Sequence, residues 1–272
     1  MIERCYVNRT SIDELLIDRP IQSLTEDEWT KMKTMCSLLK PCKDVTTALG
    51  GEQYVSSSIT LPLLAHLVHL NKDIDEDAPG YVKRFKSTLV KELEDRMQTL
   101  TRNMFLKCAT ALDPRHKSLK CLAKDQRKDV WTHLTMLLKL SIAEKLRIAS
   151  ATEDEPCPPP ATKRFAYEND SDSSSDEDTP LAHGQPLYEA QRLIKLYQAH
   201  STSCDCEPLE WWKVNQSAFA PMHDLALKYL SCPATSVPSE RLFSKAGNII
   251  SKKRSSLLPE NANKLICLSS WL

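Results

Sequence analysis

Glycine is scarce in this chain, which has only 5 glycines among 272 residues. Tight β-hairpins and phosphate-binding loops both depend on glycine, because glycine adopts backbone angles that other residues avoid. Neither a GxGxxG nor a GxxxxGK[ST] motif occurs anywhere in the sequence. The composition therefore excludes a Gly-rich nucleotide-binding loop and disfavours hairpin-rich all-β architecture. It predicts a mainly α-helical protein.

Net charge and long apolar runs are also missing. The 36 Lys and Arg residues balance 36 Asp and Glu residues, which excludes a uniformly basic coat but not a local basic patch. The longest apolar stretch, 61–70, is half of the roughly 20 residues that a membrane helix needs, so no membrane association is expected. The N-terminus has no apolar core of signal-peptide length, and we expect the ten cysteines to stay reduced, in the nucleus or alternatively the cytoplasm.

Residues 151–186 differ in composition from the rest of the chain. The stretch 151–180 contains nine acidic and two basic residues, a net charge of −7, and four prolines fall within 156–160. Such a segment buries too little apolar surface to offset the entropy of ordering it. We therefore predict three parts: a helical domain at 1–150, a disordered acidic and Pro-rich linker at 151–186, and a C-terminal domain at 187–272.

Apolar residues recur at helical spacing on both sides of this linker, and no alternating strand pattern competes with them. Thr25 and Glu28 form a capping box that starts one helix, which Pro41 is expected to kink or restart. Another helix begins near Val237, and Gly247 is placed to stop it. Further helices are predicted near 58–70, 79–100, 125–148, 187–200, 221–230 and after Pro259. The predicted buried face of the helix at 187–200 consists of Ala190, Leu193, Ile194 and Tyr197.

Several motifs stand at fixed spacing in the C-terminal part. They read CPATSVPSERLFS at 232–244, AGNII at 246–250 and KRSSL at 253–257, with PLEWWK upstream at 208–213. This combination resembles the C-terminal signature of hAT-superfamily DNA transposases, in the arrangement seen in BED-type zinc finger proteins derived from them. Nearer the N-terminus, ALDPR at 111–115 is similar to a motif of the family's helical insertion. The resemblance covers most of the chain outside the linker.

The resemblance implies a partial ribonuclease-H-like segment at the C-terminus. In the family, two divalent metal ions are held by Asp, Asp and Glu, and Glu240 resembles the third of these carboxylates. We expect the segment that supplies the two Asp residues to be absent, and the BED finger with it. A single carboxylate does not assemble a two-metal site. The prediction is therefore a protein that is not an enzyme, with no cofactor, in which Glu240 is vestigial and gains about 0.3–1 kcal/mol from the helix dipole.

Two alternatives stay open from the residues alone. One is a residual transposase or nuclease that takes the missing carboxylates from a partner chain. The other is a weak DNA-binding module at the basic C-terminal end, where Lys252, Lys253 and Arg254 could contact phosphate or serve in nuclear import. A solvated helix end explains the same charges. His66 with His69, and His200 with Cys204 and Cys206, lack the spacing of a common zinc module, so no metal site is predicted.

The main prediction is a non-catalytic protein that acts through dimerisation in the nucleus, with a link to DNA or transcription. The resemblance places the family's dimerisation region in the C-terminal part, which is rich in apolar residues. Such a surface must be covered by the N-terminal helices, by a second copy or by a related transposase-like partner. The tryptophans could instead stack on a nucleobase, although packing is the more common use of such residues. The candidate interface residues are Trp211, Trp212, Leu242, Phe243, Ile249, Ile250, Leu265 and Ile266.

Overall fold

The computed structural model describes residues 1–17, 19, 22–151, 185–203, 205–250 and 257–271, without the side chains of 149–151 and 270–271. Across these ranges the backbone forms helices, turns and bends but no strand. The prediction of a mainly α-helical protein is therefore confirmed. Of the predicted linker at 151–186, residues 152–184 lie outside the described residues. The disorder of the linker and the ribonuclease-H-like character of the C-terminal segment stay predictions.

Contacts divide the chain into two compact units. The first unit contains Met1–Leu122 and Tyr229–Leu272, and the second contains Ala123–Lys228. The three parts predicted from composition and family resemblance are 1–150, 151–186 and 187–272. The two units are defined by contacts instead, so they do not test the three parts, which stay predictions. The division shows that the chain's last segment folds with its first 122 residues rather than by itself.

The first unit is built from short and long helices around the centrally placed α4. Its helices are α1 (Ile2–Val7), α2 (Arg9–Leu16), α3 (Glu26–Leu49), α4 (Thr60–Lys72), α5 (Gly80–Leu100), α6 (Met104–Leu112), α11 (Val237–Ile249) and α12 (Pro259–Trp271). Helix α4 packs against α3, α5 and α6, and α11 packs on α12. The core is apolar and includes Trp29, Leu61, Leu112 and Leu119, all almost fully buried.

The second unit is a helical assembly with an aromatic core. It contains α7 (Lys124–Ala151), α8 (Pro186–Ala199), α9 (Pro208–Val214) and most of α10 (Ala220–Leu230). Helix α7 contributes Val130, Leu134 and Leu138 at four-residue spacing, and α8 packs against α7. The four residues predicted as the buried face of α8 are all buried, as the helical period requires.

Three local features bear on the sequence expectations. The capping box of Thr25 and Glu28 is confirmed, with Glu28 N–H donating to Thr25 Oγ1 at 3.3 Å. The helix does not restart at Pro41, because α3 continues through the proline from Glu26 to Leu49, and a kink there stays a prediction. The expected stop at Gly247 is wrong, since α11 extends to Ile249 and Gly247 is inside the helix.

None of the described helices combines the length and the apolar character that a membrane span requires.

Candidate functional site

The last two helices are reached through residues 229–236, and two buried serines hold this segment in place. The backbone N–H of Ala234 donates to Ser56 Oγ at 3.0 Å, and Ser57 Oγ donates to the carbonyl of Tyr229 at 3.3 Å. The ring of Tyr229 also stacks on Phe105, with centroids 4.9 Å apart. Buried polar groups need hydrogen-bond partners, so these bonds hold residues 229–236 in one position.

A third buried serine, Ser58, is hydrogen-bonded to the ALDPR motif at 111–115. Ser58 Oγ donates to Asp113 Oδ2 at 2.6 Å, and Thr110 Oγ1 donates to the Ser58 carbonyl at 3.1 Å. The fully buried Asp113 also accepts from Arg115, whose backbone N–H, Nε and Nη2 lie 2.8–3.0 Å from its two oxygens. A bidentate guanidinium and a hydroxyl compensate the buried charge. This motif therefore connects the end of α6 to the loop before α4. That loop also contains Ser56 and Ser57, which hold residues 229–236 in position.

Helix α11 is attached to the end of α3 by an arginine. Arg241 Nη1 donates to the carbonyl of Gly50 at 2.9 Å and to Glu52 Oε1 at 3.1 Å. Thr235 Oγ1 donates to the carbonyl of Leu49 at 3.4 Å. The last carbonyls of a helix have no partner within the helix and attract positive charge. Arg241 thus positions α11 with one side toward the first unit.

The opposite side of α11 faces away from the described part of the unit. Phe243, Gly247 and Ile250, the residue that caps the end of α11, follow one another at four- and three-residue spacing, and we call these three residues the outer face. The side chains of Phe243 and Ile250 are 74% and 58% exposed. A Cβ added to Gly247 would meet no described atom within 4 Å. None of the residues of α11 is buried.

The predicted interface residues of the last two helices therefore divide into two groups. Leu242, Ile249 and Ile266 are half-buried, whereas Phe243, Ile250 and Leu265 are exposed. Leu258 and Leu268 are exposed as well. Exposed apolar residues that cluster in one short segment are typical of a surface that another molecule covers.

Glu240 lies in the first turn of α11 and is exposed. Its Oε1 accepts a hydrogen bond from Ser236 Oγ at 2.6 Å, one helical turn earlier. Nowhere in the described ranges do three His, Cys, Asp or Glu side chains come close enough together to hold a metal ion. Its vestigial status stays a prediction.

Trp211 and Trp212 lie in the second unit. Trp212 is fully buried and stacks on Tyr197 with centroids 5.2 Å apart. Trp211 is half-buried and stacks on Phe219, with its edge toward His200. Such aromatic contacts add to the area that the rings bury. Both tryptophans therefore pack this unit, and any contact with another molecule is left to the exposed part of Trp211.

Burial shifts the pKa of three side chains in the first unit. Burial raises the pKa of the Cys108 thiol to about 12 and also raises the pKa of the neighbouring Tyr229 hydroxyl. Burial lowers the pKa of His116, against the opposing effect of Asp113. A buried thiol that stays protonated is a poor nucleophile.

The basic residues Lys252, Lys253 and Arg254 lie outside the described residues, as does Cys204.

The residues that sequence analysis missed are Ser56, Ser57 and Arg241, which hold the last segment in position. Three consecutive serines after Val55 were the available signal, because a polar run beside an apolar helix needs partners if it is buried.

Comparison with known proteins gives these positions a context. Residues 190–272 match the hAT family C-terminal dimerisation region. The match includes most of α8, all of α9 to α12 and the outer face. It confirms the resemblance that the motifs at 208–213 and 232–257 indicate.

Curated relatives extend the similarity over nearly the whole chain. The human Zinc finger BED domain-containing protein 4 is 24% identical over 98% of this chain and 22% of its own length. The Putative AC transposase of Zea mays is 23% identical over 90% of this chain and 31% of its own length. The human Zinc finger BED domain-containing protein 6 is 24% identical over 98% of this chain and 29% of its own length. This chain thus spans less than a third of each of these relatives.

Proposed function

We propose that this chain, whose residues 190–272 match the hAT family C-terminal dimerisation region, is a protein derived from the hAT transposases that acts non-catalytically through dimerisation. Its surface for this purpose is the outer face of α11. The partner is a second copy or a related transposase-like chain. The observation that carries the proposal is the exposure of Phe243 and Ile250 within the matched region.

The mechanism follows from how α11 is attached. Arg241 and the half-buried side of the helix fix its orientation on the first unit, so the apolar side chains on the other side are presented without a further conformational change. Burying apolar area is worth about 25 cal/mol per Å², and aromatic residues are frequent anchors at interfaces. A rigidly presented Phe243 fits that role.

The non-catalytic part of the proposal concerns Glu240. Its carboxylate accepts a hydrogen bond from Ser236 in the same helix turn, which is the contact of a helix-stabilising residue. We propose that this is its present role. The alternative, a residual nuclease completed by carboxylates of a partner, requires Glu240 to leave this contact and bind metal.

Size-exclusion chromatography with light scattering tests the dimer. We expect the full chain to elute as a dimer at micromolar concentration and the Phe243→Glu variant as a folded monomer, because two buried charges would oppose the contact. Val214→Glu is the matched control, since Val214 is 78% exposed on α9 of the second unit. A wild-type protein that is monomeric throughout this range would contradict the proposal, and so would a Phe243→Glu dimer.

Plasmid nicking in magnesium buffer tests the non-catalytic role. We expect no nicking by the purified chain, alone or with a related full-length transposase that lacks only its own third carboxylate and so still offers the two Asp residues. Nicking that depends on magnesium and disappears in Glu240→Gln would establish the residual nuclease instead.

We place the protein in the nucleus, since curated relatives are named as zinc finger BED proteins and as a transposase. The basic run Lys252, Lys253 and Arg254 is the proposed import patch. A fluorescently tagged chain should accumulate in the nucleus, and replacement of these three residues by alanine should shift it toward the cytoplasm. Equal distribution of both proteins would contradict this assignment.

A further inference from the structure

A small cavity beside the ALDPR motif differs in charge from other cavities of the first unit. It has a volume of about 310 Å³ and is lined by residues of α4 and of the turn at 115–121. Three other cavities in the described part of this unit each have at least one carboxylate in their lining. The cavity at 115–121 has Arg115 and Lys120 in its lining and no carboxylate. Its charge therefore favours an anionic ligand.

Arg115 is held in a fixed position at this cavity. Its Nε and Nη2 lie 3.0 and 2.8 Å from the two oxygens of Asp113. Asp113 is fully buried, does not line the cavity and also accepts from Ser58. Because the charges of Arg115 and Asp113 compensate each other, Lys120 supplies the net positive charge. A guanidinium that is already oriented loses little freedom when an anion binds to it.

An unusual backbone conformation positions the other polar groups of the cavity. Among the described residues, Leu119 is the only non-glycine residue with a positive φ, at 52°. Its side chain is fully buried, whereas Ser118 and Lys120 on either side of it are exposed and line the cavity. Leucine disfavours this left-handed region, and residues strained in this way are concentrated at binding and catalytic sites. The turn thus keeps a hydroxyl and an ammonium group beside the fixed guanidinium.

We propose that this cavity binds a phosphate group. Guanidinium, ammonium and hydroxyl groups are donors to phosphate oxygens, and charge-assisted bonds of this kind are strong. Pro62 and Ala65 of α4 also line the cavity, and their apolar surface suits a small organic group attached to the phosphate. The ligand class is therefore a small phosphomonoester. This inference does not depend on the proposed dimerisation, since no residue of α11 lines the cavity.

Isothermal titration calorimetry of the full chain, at constant ionic strength, tests the site with inorganic phosphate and phenyl phosphate. We expect saturable binding of both probes with dissociation constants in the millimolar range, lower for phenyl phosphate because its ring contacts the apolar wall. Lys120→Gln should weaken both by about tenfold, since it removes one charge-assisted contact. Lys91→Gln is the matched control, because Lys91 is an exposed lysine in a cavity that also contains Glu94. Its dissociation constants should stay within about twofold of wild type.

The outcomes distinguish a built site from general attraction between charges. Circular dichroism first establishes that both variants are folded. A lack of saturable binding of both probes would overturn the proposal, and so would equal weakening by Lys120→Gln and Lys91→Gln. Equal affinity for the two probes would support the phosphate site and assign it to free phosphate. A short DNA duplex that binds through Lys120, while neither small probe binds, would contradict a cavity that encloses the phosphate group.

Discussion

Helices α8 and α11 have similar lengths and both alternate apolar and polar residues at helical spacing, yet they bury their apolar sides very differently. In α8, Ala190, Leu193, Ile194 and Tyr197 are all buried, because α7 runs beside it. In α11 no residue is buried, although Phe243 is as apolar as any of them. An amphipathic helix therefore does not reveal whether its apolar side serves the unit that contains it or another molecule. The neighbours that the fold supplies decide this.

The largest difference should appear when one aromatic residue is truncated in each region. Trp212→Ala removes a fully buried ring from the second unit, and we expect the free energy of unfolding to fall by about 3–5 kcal/mol. Phe243→Ala removes an exposed ring, and the monomer should lose no more than about 0.5 kcal/mol. Urea unfolding followed by circular dichroism, at a concentration where the protein is monomeric, measures both. Equal losses would show that Phe243 packs within its own unit.

The contacts of the ALDPR motif at 111–115 can be removed without changing the outer face of α11. Asp113→Ala removes the fully buried acceptor of Ser58 and Arg115, and we expect a loss of about 2–4 kcal/mol in the free energy of unfolding. The control Glu94→Ala breaks the exposed pair of Glu94 and Lys72, which should cost about 0–1 kcal/mol. A loss at Asp113 as small as that at Glu94 would contradict a structural role for the ALDPR motif.

A smaller effect should depend on pH and be confined to the first unit. Burial lowers the pKa of His116 in the folded protein below its ordinary value of about 6.5, so the unfolded chain binds a proton more readily. Stability from this group is complete above about pH 6.5 and declines as the pH falls below it, by at most about 1.4 kcal/mol per pH unit. Urea unfolding between pH 5 and 7.5 should show this slope, and His116→Gln should reduce it. An unchanged slope in that variant would exclude His116 as its source.

Periodicity predicted the helices well, because apolar residues at three- and four-residue spacing leave few other structures available. The four buried residues of α8 are a direct example. The restart considered at Pro41 does not occur, since α3 runs on through the proline. The stop expected at Gly247 was wrong, because α11 includes this residue and ends at Ile249.

The candidate site could be predicted only in part. The motifs at 232–257 identified the segment, but its apolar residues gave no means of separating Leu242 and Ile249, which are half-buried, from Phe243 and Ile250, which are exposed. That separation depends on contacts between residues nearly two hundred positions apart, such as Arg241 with Gly50 and Ala234 with Ser56. Local patterns contain no information on such pairs.

Concentration-dependent hydrogen exchange of the backbone amides tests most directly the claim that α11, unlike α8, keeps its apolar side for a second molecule. We predict that the amides of α11 exchange more slowly as the protein concentration rises through the dimer dissociation constant, while those of α8 exchange at the same rate throughout. Dimer formation without any change in the exchange of α11 would contradict the account.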